Sequence, residues 1–249
     1  MANYFLDTNV LVGHCFLQNR WQEHTERLFN TDNTLHTSEL VLYEYCVKSE
    51  PGAPEDDTNI GWGSQDGIYG RVRRKLRKGK RHAELELRRY DTDNLTPEKV
   101  AEIFIEKFEI QDAVVDKVEN HFCQSLDSDC DAKEAREKID EVVNAITTTA
   151  AERKAELARR MKCHRRYREH PAIEHQLRRL IYNDDSDYGP DAGILTDAHD
   201  LKSRGIVSKV VTGDKGDMYL NSEEIDAITG VTILYLKDEF AGEATYMPK

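Results

Sequence analysis

Two aspartates of this chain stand just past runs that predict buried strands. Asp7 directly follows the apolar residues 4–6, and Asp214 lies two positions beyond the valine-rich run 206–212. In open α/β sheets, ligands bind in the crevice beyond the carboxyl ends of the strands, so acidic residues at these positions are candidates for a site. Asp7 could equally serve only as the cap of the helix predicted to follow it.

A glutamate lies on the apolar face of another predicted helix. Ser38 can cap a helix over residues 39–48, in which Glu44 shares a face with Leu40 and Val47. A buried carboxylate needs a partner, because removing an unpaired charge from water costs several kcal/mol. Glu44 is therefore a second kind of site candidate, unless the helix is rotated so that Glu44 is exposed.

The last third of the chain adds a fourth acid. Pro190 suits the first turn of a helix, and Asp191 lies on the same face of that helix as the apolar Ile194. At 100° per residue, Asp197 and Asp200 are rotated from Asp191 by about 120° and 180°. We therefore expect Asp191 to face inward and expect Asp197 and Asp200 to be solvated.

These four acids indicate one kind of chemistry if they meet. Strands and helices alternate near both ends of the chain, which predicts a parallel sheet whose strand ends share one edge. Clustered carboxylates cannot all stay ionised unless a cation neutralises them. Oxygen ligands without clustered cysteine or histidine select Mg²⁺ or Mn²⁺, and such ions catalyse phosphoryl transfer and hydrolysis.

The middle of the chain has a different composition. Residues 49–183 predict an inserted all-helical region, including a long helix over 132–160, between α/β segments at 1–48 and 184–249. The chain as a whole is acidic, with 35 Lys and Arg against 47 Asp and Glu and a net charge of −12. Nonspecific binding of nucleic acid by the whole surface is therefore not expected, although a local basic patch is compatible with the total.

Two stretches of this region are strongly basic. Residues 71–90 hold ten Lys and Arg against two Glu, and residues 159–179 hold eight against two. Such patches suit a phosphate backbone, and Tyr167 and Tyr182 could stack on bases. The alternative is that these side chains form solvated helix faces that pair with the acidic helices of the same region.

Cysteine usage and hydropathy bear on location. The five cysteines are irregularly spaced and include no C-x-x-C pair, which predicts reduced thiols in a cytoplasmic protein rather than disulfides or a zinc site. No run approaches the roughly 20 apolar residues that span a bilayer, and no basic leader is present. We expect a soluble chain that does not associate with membranes.

Four stretches resemble, in order, the motifs of the PIN-domain nucleases, whose best-known bacterial and archaeal members are VapC-type toxins. They are residues 5–11, Glu44 in its helix, residues 191–195 and residues 211–215. The resemblance covers residues 1 to about 48 and about 184 to 236. It implies a three-layer α/β/α PIN-like domain with a mostly parallel sheet, and a Mg²⁺- or Mn²⁺-dependent endonuclease that acts on RNA.

The resemblance also implies roles for individual residues. The metal ligands and catalytic residues would be Asp7, Glu44, Asp191 and Asp214. Thr8, Asn9 and Thr212 would orient these carboxylates, and Asp217 could add a ligand. The chain departs from the compact members of the family because 147 positions separate Glu44 from Asp191.

Other functions follow from parts of the same pattern. A toxin role would imply an antitoxin-like protein partner and a homodimer. A non-catalytic PIN-like scaffold that binds RNA or protein is the alternative to an enzyme, although the presence of all four acids is against it. A haloacid-dehalogenase-type phosphatase ranks last, because it needs a second aspartate where this chain has Asn9.

Overall fold

A five-stranded parallel sheet forms the centre of the molecule. The computed structural model describes residues 2–48, 60–90, 95–182 and 189–240. The strands are β1 (Asn3–Leu6), β2 (Thr34–Ser38), β3 (Lys162–His164), β4 (Lys209–Thr212) and β5 (Thr232–Tyr235). Their order is β3-β2-β1-β4-β5, and every neighbouring pair is parallel. The prediction of an α/β fold with a mostly parallel sheet is confirmed.

Helices make up most of the remaining described residues. They are α1 (Thr8–Cys15), α2 (Gln22–Phe29), α3 (Glu39–Leu42), α4 (Ile68–Leu87), α5 (Pro97–Phe108), α6 (Asp112–Ser125), α7 (Ala132–Arg160), α8 (Pro171–Tyr182), α9 (Pro190–Ser203), α10 (Ser222–Thr229) and α11 (Leu236–Glu239). Tyr43–Val47 and Lys215–Tyr219 are π-helical turns, and Arg88–Tyr90 is a 3₁₀ turn. In the part of the chain that the structure describes, none of these helices has the length and apolar composition to cross a bilayer.

The strand order explains the layers. The chain moves from β1 through β2 to β3 in one direction, then crosses to β4 and continues to β5 in the other. Because crossovers between parallel strands are right-handed, the reversal places the connecting helices on opposite faces of the sheet. The arrangement is consistent with an α/β/α layout. The strand order reverses between β1 and β4, and this reversal is the switch point of the sheet. Open α/β sheets bind ligands at such a point.

Local sequence accounts for the best predicted elements. Phe5 and Leu6 of β1 are fully buried, as expected for an apolar run in a central strand. Ser38 caps α3 through a hydrogen bond from the backbone N–H of Val41. The helix α7 covers the predicted residues 132–160 and begins with a capping box formed by Asp131 and Glu134.

One prediction about the middle of the chain is wrong. The inserted region is not all-helical, because β3 pairs in parallel with β2 and forms one edge of the sheet. The helix α8 that follows β3 packs against α9. The predicted boundaries at 48/49 and 183/184 adjoin positions outside the described residues. Within the described part, however, a stretch of the region from 49 to 183 belongs to the central sheet.

The inserted helices and the sheet share one hydrophobic core. The helix α7 packs against α1, and its Arg153 donates a hydrogen bond of 2.8 Å to the backbone carbonyl of His14. Lys154 of α7 donates to the carbonyl of Ser64 and lies 4.3 Å above the ring of Tyr69 in α4. The inserted helices are thus packed directly onto the elements that follow β1 and β2.

Candidate functional site

Asp7 is a buried carboxylate held by three donors. It caps α1, and its Oδ1 accepts the backbone N–H of Thr8 at 2.6 Å. Its Oδ2 accepts hydrogen bonds from the Asn9 amide at 2.5 Å and from the Thr212 hydroxyl at 2.8 Å. The two interpretations of Asp7 are therefore compatible: it caps the helix, and it also lines the cavity at the carboxyl edge of the sheet.

Asp214 is tied to the same network. Its backbone N–H donates to the Thr212 hydroxyl at 2.9 Å, and the preceding Gly213 N–H donates to Asn9 Oδ1 at 2.6 Å. Its carboxylate caps the π-helical turn that follows, since Oδ1 accepts the Asp217 N–H at 3.0 Å. Hydrogen bonds that involve the side chains of Asn9 and Thr212 thus link the end of β1 to the end of β4.

Glu44 and Asp191 come from helices that start at this edge. Glu44 lies in the π-helical turn after α3, is half-buried, and accepts a hydrogen bond from the Thr8 hydroxyl. Asp191 lies in the first turn of α9, where its backbone N–H donates to the Tyr182 phenol oxygen at 3.0 Å. Within the described residues, no hydrogen bond reaches the Asp191 carboxylate. This acid lines the cavity, and no donor from the described residues bonds to its carboxylate.

The structure brings all four predicted acids to one cavity of about 420 Å³. Its wall comprises Asp7, Thr8, Asn9, Val12, Asn19, Arg20, Trp21, Glu44, Ile68, Gln111, Pro190, Asp191 and Asp214. Carboxylate oxygens of Asp191, Asp214 and the exposed Asp217 all lie within 4.8 Å of one another. Asp217, which sequence reasoning named as an additional acid, therefore lies beside two of the four.

Burial raises the pKa of three of these acids, and neighbouring negative charges add to the effect at Asp7 and Asp191. Burial, followed by the charges of Glu44 and Asp214, raises the pKa of Asp7 to about 7. Burial and the charges of the neighbouring acids raise the pKa of Asp191 to about 8. Burial also raises the pKa of Glu44, against the opposing effects of the Thr8 hydroxyl and the positive charge of Arg71. The cavity therefore carries more negative charge than its own donors stabilise.

A divalent cation fits these donors. The ligands available are carboxylate oxygens, which Mg²⁺ and Mn²⁺ prefer, and no donor from the described part of the chain bonds to the Asp191 carboxylate. The carboxylate oxygens of Asp191, Asp214 and Asp217 lie within 4.8 Å of one another, so these three acids form a close group of candidate ligands among the described residues. Asp7 and Glu44 line the same cavity but lie outside that close group.

Sequence reasoning missed several residues of the cavity. The guanidinium of Arg20 lies 4.7 Å above the ring of Trp21, and both line the cavity. Ile68 and Gln111 also line it, so the inserted helices contribute to its wall. The adjacent arginine and tryptophan, close after the helix capped by Asp7, were a usable signal. No local pattern pointed to Ile68 or Gln111, because tertiary packing alone brings them to the site.

The prediction that Asp197 and Asp200 are solvated is wrong. Their exposed fractions are 5% and 1%. The guanidinium of Arg166 donates to Asp197 at 2.6 Å, and Asp200 accepts hydrogen bonds from the segment of residues 165–170. This segment and α8 pack against α9 and bury Asp197 and Asp200 in addition to the apolar residues of the helix.

The first basic stretch is partly paired with acids and partly exposed. In α4, Lys75 pairs with Glu109 at 2.9 Å and Lys80 pairs with Asp140 at 2.9 Å. These contacts match the expectation of pairing with acids of the inserted region. In contrast, Arg77, Lys78 and Arg81 are exposed and form no ion pair with the described carboxylates. Part of the basic face of α4 therefore remains available to a polyanion.

Comparison with known proteins returns no relative. No protein-family model matches the chain, and neither a curated protein nor a solved structure does. The function must therefore be argued from the geometry of the site.

Proposed function

We propose that this chain is a metal-dependent endoribonuclease that hydrolyses phosphodiester bonds of RNA. The metal ligands are Asp7, Glu44, Asp191 and Asp214, as the resemblance to PIN-domain nucleases implies. One observation carries the proposal: acids from four separate segments of the chain line one cavity, at the switch point of a parallel sheet. Two of them have pKa values raised to about 7 and 8, which a bound cation would lower again.

The side chains around the acids fix their orientation. Asp7 cannot rotate freely because Thr8, Asn9 and Thr212 all donate to it. Partners of this kind hold ligands in place and tune their basicity. When bound, Mg²⁺ or Mn²⁺ supplies an activated water and neutralises charge on the scissile phosphate. Arg20 lines the same cavity and offers a guanidinium to a phosphate oxygen.

Charge on α4 supports a nucleic acid as the substrate. The helix begins at Ile68 in the cavity wall and, with 20 residues at about 1.5 Å each, extends roughly 30 Å from the site. Its exposed Arg77, Lys78 and Arg81 form no ion pair with the described carboxylates. A phosphate backbone that enters the cavity can follow these side chains, since each neutralised phosphate releases counterions.

The test is cleavage of a pool of structured RNAs by the purified protein, with Mn²⁺ or with EDTA, followed by mapping of the ends. The parent should cut only with metal, and Asp191→Asn should cut at least a hundredfold more slowly. Asp112→Asn is the matched control, because Asp112 is an exposed acid in the first turn of α6. Its rate should equal that of the parent.

Two outcomes would reject the proposal. One is cleavage by Asp191→Asn at the parental rate. The other is RNA binding by the parent without any cleavage in Mn²⁺ or Mg²⁺, which would favour the non-catalytic scaffold. The antitoxin-like partner and the homodimer stay predictions of the resemblance.

A further inference from the structure

Tyr167 is a large aromatic side chain held out into solvent. It lies between β3 and α8, and 72% of its surface is exposed. The guanidinium carbons of Arg168 and Arg204 lie 5.8 Å and 5.6 Å from the centre of its ring. Two guanidinium groups therefore lie within cation–π distance of this exposed ring.

The backbone around Tyr167 is fixed by a buried acid. Asp200 accepts the N–H groups of Tyr167 at 3.0 Å and Arg168 at 3.2 Å. The same carboxylate accepts hydrogen bonds from the His170 ring and from the Arg204 guanidinium, both at 3.2 Å. One carboxylate thus holds the segment and one of the two flanking arginines. The exposed ring is presented by a preorganised segment, which reduces the entropy lost on binding.

This segment is also tied to the helix that carries Asp191. Arg166 donates to the Asp197 carboxylate at 2.6 Å and to the backbone carbonyl of Gly193 at 3.0 Å. Gly193 is two positions beyond Asp191 in α9. The position of Tyr167 is therefore coupled mechanically to the start of α9, where the acidic cavity lies.

Tyr167 lies beside the same helix that carries Asp191. After β3 the chain follows α9 away from the carboxyl edge of the sheet, because Tyr167 bonds to Asp200 and its ring lies beside Arg204. Asp200 is nine residues beyond Asp191 in α9, so the segment is held about 13 Å along the helix from that acid, at about 1.5 Å per residue. A short single strand of nucleic acid can span this separation.

We propose that Tyr167, Arg168 and Arg204 form a stacking subsite for one unpaired base of a single-stranded RNA that enters the acidic cavity. The inference rests on the proposed nuclease function and names the substrate class as unpaired rather than duplex RNA. The ring stacks on the base, and the guanidinium groups contact the flanking phosphates. Stacking of this kind tolerates any base sequence, because every base has a π-face. A base inside a duplex cannot reach the ring, since both its faces are already stacked.

The test is a binding measurement in EDTA, in which the RNA stays intact. Fluorescence anisotropy of labelled single-stranded RNA, duplex RNA and single-stranded DNA of one sequence compares the parent with Tyr167→Ala and Tyr167→Phe. The alanine variant should bind single-stranded RNA on the order of tenfold more weakly, and the phenylalanine variant should retain binding. Leu220→Ala is the matched control, because Leu220 is a large side chain with 67% exposure outside the segment.

The outcomes separate this subsite from the nuclease proposal. Equal affinity of the parent and Tyr167→Ala for single-stranded RNA would overturn the subsite, as would an equal loss for duplex RNA. If Tyr167→Ala bound single-stranded DNA more weakly but bound single-stranded RNA as the parent does, RNA would be ruled out as the ligand of this subsite. If the parent cuts no RNA but Tyr167→Ala still loses single-stranded binding, the nuclease proposal fails and the subsite remains. If RNA is cut and Tyr167→Ala binds normally, only the subsite fails.

Discussion

The hydroxyl of Thr212 donates a hydrogen bond to the carboxylate of Asp7, with 2.8 Å between Oγ1 and Oδ2. The same oxygen accepts the backbone N–H of Asp214 at 2.9 Å. Thr212 is fully buried. One hydroxyl therefore aligns acids that follow two adjacent strands, although more than 200 residues separate them in sequence.

Thr212→Val should weaken metal binding with little effect on folding. Valine has nearly the same shape but no hydroxyl, so Asp7 loses one of its donors. Loss of such a partner typically lowers metal affinity by about 10- to 100-fold. Calorimetric titration with Mn²⁺ measures the change. Thr212→Ser keeps the hydroxyl and should bind as the parent does, and parental affinity in the valine variant would contradict the role of this contact.

The metal-free protein should become less stable as the pH rises from 7 to 9. Folding raises the pKa of Asp7 and Asp191 from 3.8 to about 7 and about 8. An acid whose pKa is raised by folding binds its proton more tightly in the native state, so this stabilisation is lost as pH rises through those values. Melting temperatures in EDTA across this range measure the loss.

Mn²⁺ should reverse that trend, since the ligands it needs are the deprotonated acids. Asp191→Asn should flatten the pH dependence in EDTA, because asparagine does not titrate. A parent whose melting temperature in EDTA is the same at pH 7 and pH 9 would argue against mutual repulsion in the cavity.

Arg166→Ala should destabilise the fold by about 3 kcal/mol, because removing one partner of a buried ion pair leaves Asp197 uncompensated. The neighbouring Arg165 is the natural control. Its side chain is 86% exposed, so Arg165→Ala should change stability by less than about 0.5 kcal/mol. Urea denaturation of both variants measures the difference, and equal midpoints would refute the structural role of Arg166.

Gly213→Ala should disturb both packing and the acidic cavity. A Cβ on Gly213 would lie 2.5 Å from Trp21 Nε1, and overpacking of this kind typically costs about 1–3 kcal/mol. We expect a lower melting temperature and weaker Mn²⁺ binding, because Asp214 follows directly. Gly61→Ala is the control, since no atom of the described residues lies within 4 Å of its Cβ position. Similar melting temperatures for the two variants would show that Trp21 moves aside freely.

The convergence of the four acids could be predicted because it follows from local patterns and one topological rule. Apolar runs that end in acids mark strand ends, and parallel strands bring those ends to one edge. The prediction for Asp7 and Asp214 needed only the two strands. That for Asp191 needed, in addition, the proline that starts α9.

The errors arose where tertiary contacts outweighed local pattern. β3 has the sequence Lys-Cys-His, which carries no strand signal, and it forms because β2 offers an open edge. Asp197 and Asp200 were predicted to be solvated because a helical wheel identifies the face that meets the sheet. It cannot show that residues 165–170 and α8 also pack against this helix and bury the two aspartates.

The position of β3 limits how far this protein can be shortened. β3 covers the outer side of β2, and the chain reaches it only after α4 to α7. Replacing residues 49–183 by a short linker would remove β3 and leave backbone N–H and C=O groups of β2 unpaired. Such an exposed edge can pair with other chains and cause aggregation. The long segment between Glu44 and Asp191 is therefore part of the scaffold, and it could be shortened only if another strand paired with β2.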